Sequence, residues 1–304
     1  MSPVALKRLI VALGILVFGW VAAEMLRGGS NDGTVELSMP DISPENTDSI
    51  VVDRESGRVA LVRVGDSEWT VNGYRAGFSG ISELFAAFGG ALHGQLAAQN
   101  PETHSNFEIG DAAARRVRVY QSDSAVADLL IGKRSGDRVY VRRPDENEVY
   151  SVRSALGSLA MRQINDWRDR VIVALEPDSV AEFEVTRDAK RYSLRRSADA
   201  WIVDGAPADT AAVGRLLNQY RALNATGFPN DSQQVDIDFS APERVIRLGV
   251  FGGSWTELRF DSTSAGFWVQ RLGDSTAYRL DQYRVNQLVP LDTSLVAKDS
   301  PTGE

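Results

Sequence analysis

The sequence predicts an α+β protein: an N-terminal transmembrane helix followed by a tandem repeat of two modules, each an antiparallel sheet with covering helices. Three observations predict it. An uncharged apolar run, LIVALGILVFGWVAA, stands at Leu9–Ala23. Short β-rich runs separated by turn residues fill most of the chain beyond that run. The stretch Trp201–Leu223, WIVDGAPADTAAVGRLLNQYRAL, is a second version of Trp69–Ala91 at an offset of 132 residues. A chain of 304 residues suits about two ordinary domains. Its 43% hydrophobic and 24% charged content are those of a chain that folds.

Several function classes are excluded at once. The formal charge is −8, so a general nucleic-acid binder with a basic face is not expected. There is no cysteine, which removes disulfides, thiol catalysis, Cys-based zinc sites and lipid attachment through an N-terminal Cys.

At the N-terminus the apolar run spans roughly 22 Å as a helix, and roughly 34 Å when extended from Val4 to Leu26. Lys7 and Arg8 precede it and Glu24 follows. The positive-inside rule then leaves the N-terminus in the cytoplasm and the remaining chain outside the inner membrane. A cleaved signal peptide ending at Val21-Ala22-Ala23 is the rival reading. Either way the same domain is exported. We place the anchor at 1–26 and a flexible Gly/Ser/Pro/Asp-rich tether at 27–47.

The first module, 48–172, opens with a hairpin, Ser49–Arg54 and Arg58–Gly65, and a third strand, Glu68–Gly73. A helix follows to Leu92, with Ser79 as its N-cap and Ile81, Leu84, Phe85 and Phe88 on one face. Gly89, Gly90 and Gly94 fray its end. After a loop at Pro101–Gly110 come four strands of a meander, Ala114–Tyr120, Ala127–Lys133, Arg138–Arg143 and Glu148–Val152. A second helix is expected from Leu156 to about Asp169.

The second module, 173–298, repeats the order. Its hairpin is Glu182–Arg187 with Arg191–Ser197, and its third strand is Ala200–Gly205. Asp209 or Thr210 caps a helix whose face, Val213, Leu216, Leu217 and Tyr220, lies 132 positions after that of the first. Phe239 keeps the same offset from Phe107. The meander is Arg244–Phe251, Trp255–Phe260, Gly266–Leu272 and Thr276–Leu280. A short helix ends at Pro290, and residues 299–304 are expected to be disordered. A period near 130 is too long for a solenoid. Shared core packing accounts for the Trp69/Trp201 and helix-face matches.

Between Trp167-Arg168-Asp169-Arg170 and Phe228, the runs VIVALEPDSVAEFEV, YSLRRSADAWIVDG and ADTAAVGRLLNQYRALNATGF resemble the bacterial domain-of-unknown-function family numbered 4340. The first module resembles it more weakly, with Ala76–Ser79 where the second has Ala208-Asp209-Thr210. Trp69, Trp201, Trp167 and Asp169 form the structural signature. The resemblance implies a membrane helix followed by repeats of strand, strand, Trp-bearing strand and helix. It also implies association with ABC-type transport systems of the gliding-auxiliary kind, with permease or auxiliary membrane subunits as partners. It brings no active-site residues.

Few residues suggest chemistry. The two histidines, His93 and His104, fit no metal-ligand spacing. Gly77-Phe78-Ser79-Gly80 fails the nucleophile-elbow spacing, because Ile81 stands where a glycine is required. Gly132-Lys133-Arg134-Ser135 lacks the upstream glycine of a phosphate loop. Asp53 with Glu55, and Glu182 with Glu184, are carboxylates on one strand face, and a charged strand surface explains them. No catalytic residue, metal or cofactor is assigned. The one charge feature is the stretch Arg115–Arg170, with 12 Lys/Arg and 8 Asp/Glu. In it Arg138, Arg142, Arg143 and Arg153, beside Tyr140 and Tyr150, could make a basic face toward phospholipid, an anionic glycan or an acidic partner. Local ion pairing on a solvated strand is the alternative. The leading expectation is a non-enzymatic periplasmic accessory subunit of an envelope transporter. An envelope hydrolase with its site between the modules, and a stand-alone structural or glycan-binding envelope protein, are the alternatives.

Overall fold

The computed structural model describes residues 34–89, 92–198 and 200–297. The anchor at 1–26 and the tail at 299–304 lie outside the described residues. Among the described residues no helix is long and apolar enough to cross a membrane. The chain divides into two compact units between Ile164 and Asn165, ahead of the 172/173 boundary drawn from sequence. The reason lies in two contacts. The Arg168 guanidinium sits 3.7 Å from the Phe228 ring centroid, and Val171 pairs with Asn224. Both tie the 167–173 segment to the second unit.

In the first unit the strands are β1 (Thr34–Leu37), β2 (Ser49–Arg54), β3 (Gly57–Val64), β4 (Glu68–Val71), β5 (Tyr74–Arg75), β6 (Leu92–Ala98), β7 (Arg115–Gln121), β8 (Ser124–Ser135), β9 (Arg138–Arg142) and β10 (Val149–Arg153). They form one sheet in the order β1-β6-β10-β9-β8-β7-β2-β3-β4-β5. Helix α1 (Phe78–Phe88) packs on it with Ile81, Leu84, Phe85 and Phe88 buried, as their spacing requires. Trp69 meets Phe85 edge-on, with ring centroids 5.3 Å apart.

Five expectations need correction. Ser79 does not cap α1. Gly77 holds that position and contributes no side-chain hydrogen bond. The helix stops at Phe88, and Leu92–Ala98 is a strand. Gly94 does not fray a helix; it lets strands close up. A Cβ there would lie 2.9 Å from Tyr150 Cβ and from Val152 Cγ1. The tether is also not featureless. Thr34–Leu37 pairs with β6, Leu37 and Ile42 are buried, and Asn46 ties a turn by accepting from Ser43 N at 2.8 Å and donating to Asp41 O at 3.0 Å. Two apolar side chains suffice to dock it. Finally, the helix expected from Leu156 to Asp169 is two single turns, α2 (Leu156–Leu159) and α3 (Ile164–Trp167). Leu156 and Leu159 bury in the first unit. Trp167 and Arg168 bury in the second.

In the second unit β11 (Val171–Val173) pairs with the later β16 (Leu223–Asn224) as a separate ribbon. The main sheet is built from β12 (Val180–Arg187), β13 (Lys190–Ser197), β14 (Ala200–Val203), β15 (Ala206–Pro207), β17 (Arg244–Val250), β18 (Trp255–Thr263), β19 (Gly266–Arg271) and β20 (Tyr278–Leu280). Its order is β15-β14-β13-β12-β17-β18-β19-β20. Read from its far end, the first sheet runs β5-β4-β3-β2-β7-β8-β9-β10 before adding β6 and β1. The strand order is the same. Helix α4 (Thr210–Asn218) is capped as expected, with Asp209 Oδ1 accepting from Ala211 N and Ala212 N at 2.9 and 3.0 Å. Its face, Val213, Leu216 and Leu217, continues into buried Tyr220. A single helical turn, α5 (Asp231–Gln234), precedes β17. Helix α6 (Gln282–Leu288) closes the layer.

Candidate functional site

The four arginines singled out in the sequence do not form an open basic face. Arg142 is buried. It donates to Glu146 O, Pro144 O and Ile109 O at 2.9, 3.1 and 3.4 Å, and pairs with Asp111 at 2.6 Å. This fork pins two loops over the sheet, beside a small core of Ile109, Ala114, Leu130 and Val149. Arg143 pairs with Glu146 at 3.0 Å and donates to Ser38 O at 2.6 Å. Arg138 donates to Ser151 Oγ and O at 3.0 and 3.1 Å. Arg153 pairs with Asp137 at 2.5 Å. Local bonding engages all four, and only Arg153, in its pair with Asp137, keeps most of its side chain exposed. Of the two tyrosines beside them, Tyr140 packs tilted against Phe107, with ring centroids 4.6 Å apart.

The signature residues are packing residues. Trp69, Trp201 and Trp167 are buried, and Asp169 Oδ1 accepts from Val171 N at 3.0 Å. His104 is buried with Nε2 donating to Asn147 O at 2.9 Å, and His93 lies on β6. Gly132 serves close approach: a Cβ there would fall 2.3 Å from Phe107 O. Asp53 is held below its ordinary carboxylate range. Burial pushes it up, and the hydrogen bonds from Arg58 and Arg118 outweigh that. Among the described residues no three His, Asp or Glu side chains are grouped to hold a metal ion.

What sequence reading missed is the outer face of the second sheet. Alternation sends Phe183, Val185, Leu194, Ile246, Leu248 and Leu258 into the core, all fully buried. Their neighbours face out. Register puts Glu184 beside Ser193 and Arg247, Arg247 beside Glu257, and Gly249 beside Trp255. A row of ion pairs results: Arg247 to Glu184 at 3.5 Å and to Glu257 at 3.1 Å, with Arg259 to Glu257 at 2.8 Å. A 420 Å³ trough runs along it, lined by Glu184, Arg191, Ser193, Asp204, Arg247 and Glu257 among others. The Arg247–Glu184 pair, with side chains 52% and 37% exposed, contributes only about 0–1 kcal/mol, while Glu257 is the more deeply set member of the row. The first sheet carries a related arrangement on its outer face: Arg118 pairs with Asp53, Arg58 with Asp53 at 2.6 Å, and Arg116 with Asp128 at 2.6 Å. The alternating charges of EFEV and WTELRF were the available signal, but their register across four strands was not legible.

The family described as a domain of unknown function (DUF4340) matches residues 69–244. The match begins at Trp69 on β4 and ends at Arg244, the first residue of β17, so it takes in both Trp-strand-and-helix units. The chain belongs to this family. Family 4340 assigns no chemistry, and no curated protein and no solved structure matches the chain.

Proposed function

We propose that this chain is a non-enzymatic accessory subunit of an envelope ABC-type transport system, held at the inner membrane by its N-terminal segment with both units on the outer side. We further propose that the two units are copies of one module. The observation that carries the reading is the shared strand order of the two sheets, each with an ion-paired polar face turned outward. Two such faces on one anchored chain give two points of contact near a membrane partner, where tethering raises effective concentration. The uncharged run Leu9–Ala23 and the preceding Lys7 and Arg8 support the address, and the family resemblance supports the partner.

The test is mass spectrometry of proteins co-purified with the tagged full chain in gentle detergent after mild crosslinking. A version lacking Met1–Leu26 but carrying a cleavable export signal runs beside it. Permease and ATPase subunits are expected with the full chain. Their absence from both samples would sink the transporter assignment.

A further inference from the structure

The most unusual surface feature is an indole laid flat on the outer face of the second sheet. Trp255 opens β18 and is 45% exposed. It stands directly opposite Gly249 on β17. A Cβ on Gly249 would lie 2.9–3.1 Å from three atoms of the indole. Gly249 is not among the glycines with positive φ, so backbone conformation does not require glycine there. A glycine inside a strand weakens it and marks close approach by another group. Here that group is the Trp255 ring, seated against the bare backbone with its remaining surface open to solvent.

The surroundings are polar and planar. The Arg247 guanidinium lies 5.6 Å from the Trp255 ring centroid and is held between Glu184 and Glu257. Glu257 follows Trp255 by two positions on the same face, and Arg259 pairs with it at 2.8 Å. Beyond them the trough continues past Ser193, Asp204 and Arg191. Arg191 donates to Thr186 Oγ1 at 3.3 Å. Such a platform and rim match one chemistry best. The C–H face of a pyranose ring stacks on a flat aromatic, and its hydroxyls accept hydrogen bonds from guanidinium groups and donate to carboxylates. A protein partner would call for a contiguous apolar centre, whereas the row that leads away from Trp255 is Arg247, Glu257 and Glu184, with exposed Leu272 beside Glu257. A strand-like peptide would need a free sheet edge, and β17 and β18 are central.

We propose that Trp255 and the adjoining trough, which runs past Arg247 and Glu257 to Arg191 on the second unit, form a carbohydrate-binding site. Its ligand is an oligosaccharide that stacks one sugar on Trp255 and runs its hydroxyls along Arg247, Glu257 and Glu184. The first unit has no counterpart, because Tyr120 and Ala125 face each other at the matching place in its sheet. The site stands whether or not the chain serves a transporter.

The test uses the full chain in detergent on immobilised chitotetraose, cellotetraose, maltotetraose and solubilised peptidoglycan strands. Retention of at least one is expected, with Kd of about 1 mM or tighter. Trp255→Ala, at a half-exposed position that leaves the core intact, should weaken it about tenfold or more. Gly249→Val, which evicts the indole from its seat, should do the same. Tyr120→Phe on the first unit should leave retention unchanged. Retention of no sugar by the parent chain would overturn the proposal, as would undiminished retention by Trp255→Ala.

Discussion

The two units hold a common strand order by different means. In the second, three successive carbonyls at and just past the end of α6 are met by side chains: Tyr220 Oη donates to Leu288 O at 2.6 Å, Arg187 to Val289 O at 2.9 Å and Tyr192 Oη to Pro290 O at 2.7 Å. The last carbonyls of a helix have no intrahelical donor, and burying them unmet is costly. In the first unit Arg54 donates to Met161 O at 3.0 Å, while apolar Phe88 and Val59 occupy the places of Tyr220 and Tyr192 in helix and strand. There the extra order comes from the opposite layer, where Arg142 and β6 secure the loop over the outer face. The lesson is that strand order is set by patterning, while closure of the layers rests on a few buried donors that differ between units.

That contrast can be broken residue by residue. The largest effect is expected from Arg142→Ala. It removes the donor of several loop carbonyls and leaves Ile109 O without its partner, and breaking such a buried charged network costs about 3 kcal/mol. Hydrogen exchange should rise in residues 99–114 and stay unchanged in the second unit. Loss of protection in both units equally would contradict the assignment of Arg142 to one of them.

Tyr220→Phe is next. It leaves the buried Leu288 carbonyl unmet, for a loss of about 1–2 kcal/mol, read from the urea midpoint of the second unit's transition. The hydroxyl's pKa is raised well above its ordinary value by burial first and by nearby Tyr192 second, so it stays a donor through the physiological range. Introducing that hydroxyl in the first unit, as Phe88→Tyr, should not stabilise, because it would be buried without a matching acceptor.

Asp209→Ala removes the α4 cap and should cost about 1 kcal/mol. Ser79→Ala should change the melting temperature little, since Gly77 occupies the cap position of α1. Equal losses from both would restore the expectation that Ser79 is a cap.

The smallest effect is a pH dependence in the second unit. Asp274 titrates below its ordinary range. Burial raises it, but bonds from Thr276 and Tyr278 prevail, including Thr276 N at 2.8 Å and Tyr278 Oη at 2.9 Å. Tyr278 in turn is pushed up to about 12, by burial and then by its bond to Asp274. A depressed carboxylate pKa stabilises the fold above the unfolded value near 4 and loses that contribution as pH falls through the folded value. Asp274→Asn should therefore flatten the second unit's acid unfolding profile by about 0.5–1 kcal/mol. A profile identical to the parent's would remove Asp274 from the account.

Much of this was legible in the residues. Each alternating run named a strand, and the face Ile81, Leu84, Phe85, Phe88 was buried as its spacing required, because burial of an apolar stripe follows from periodicity alone. Strand β6 was not legible. LHGQLAA follows a helix and carries a glycine, and only its pairing with β10 reveals that Gly94 fits where a side chain would clash. The basic face failed for the same reason. Counting charges located Arg138, Arg142, Arg143 and Arg153, but a charge balance does not say which carbonyls and carboxylates those side chains reach.

The sequence by itself determined the class, the family and the two Trp-strand-and-helix units, because these rest on local propensity and on apolar spacing along the chain. The tertiary structure decided the rest. Register across β12, β17 and β18 brought Glu184, Arg247, Glu257 and Trp255 into one row, and the absence of a side chain at Gly249 seated the indole. Those relations join residues tens of positions apart, and no local pattern encodes them.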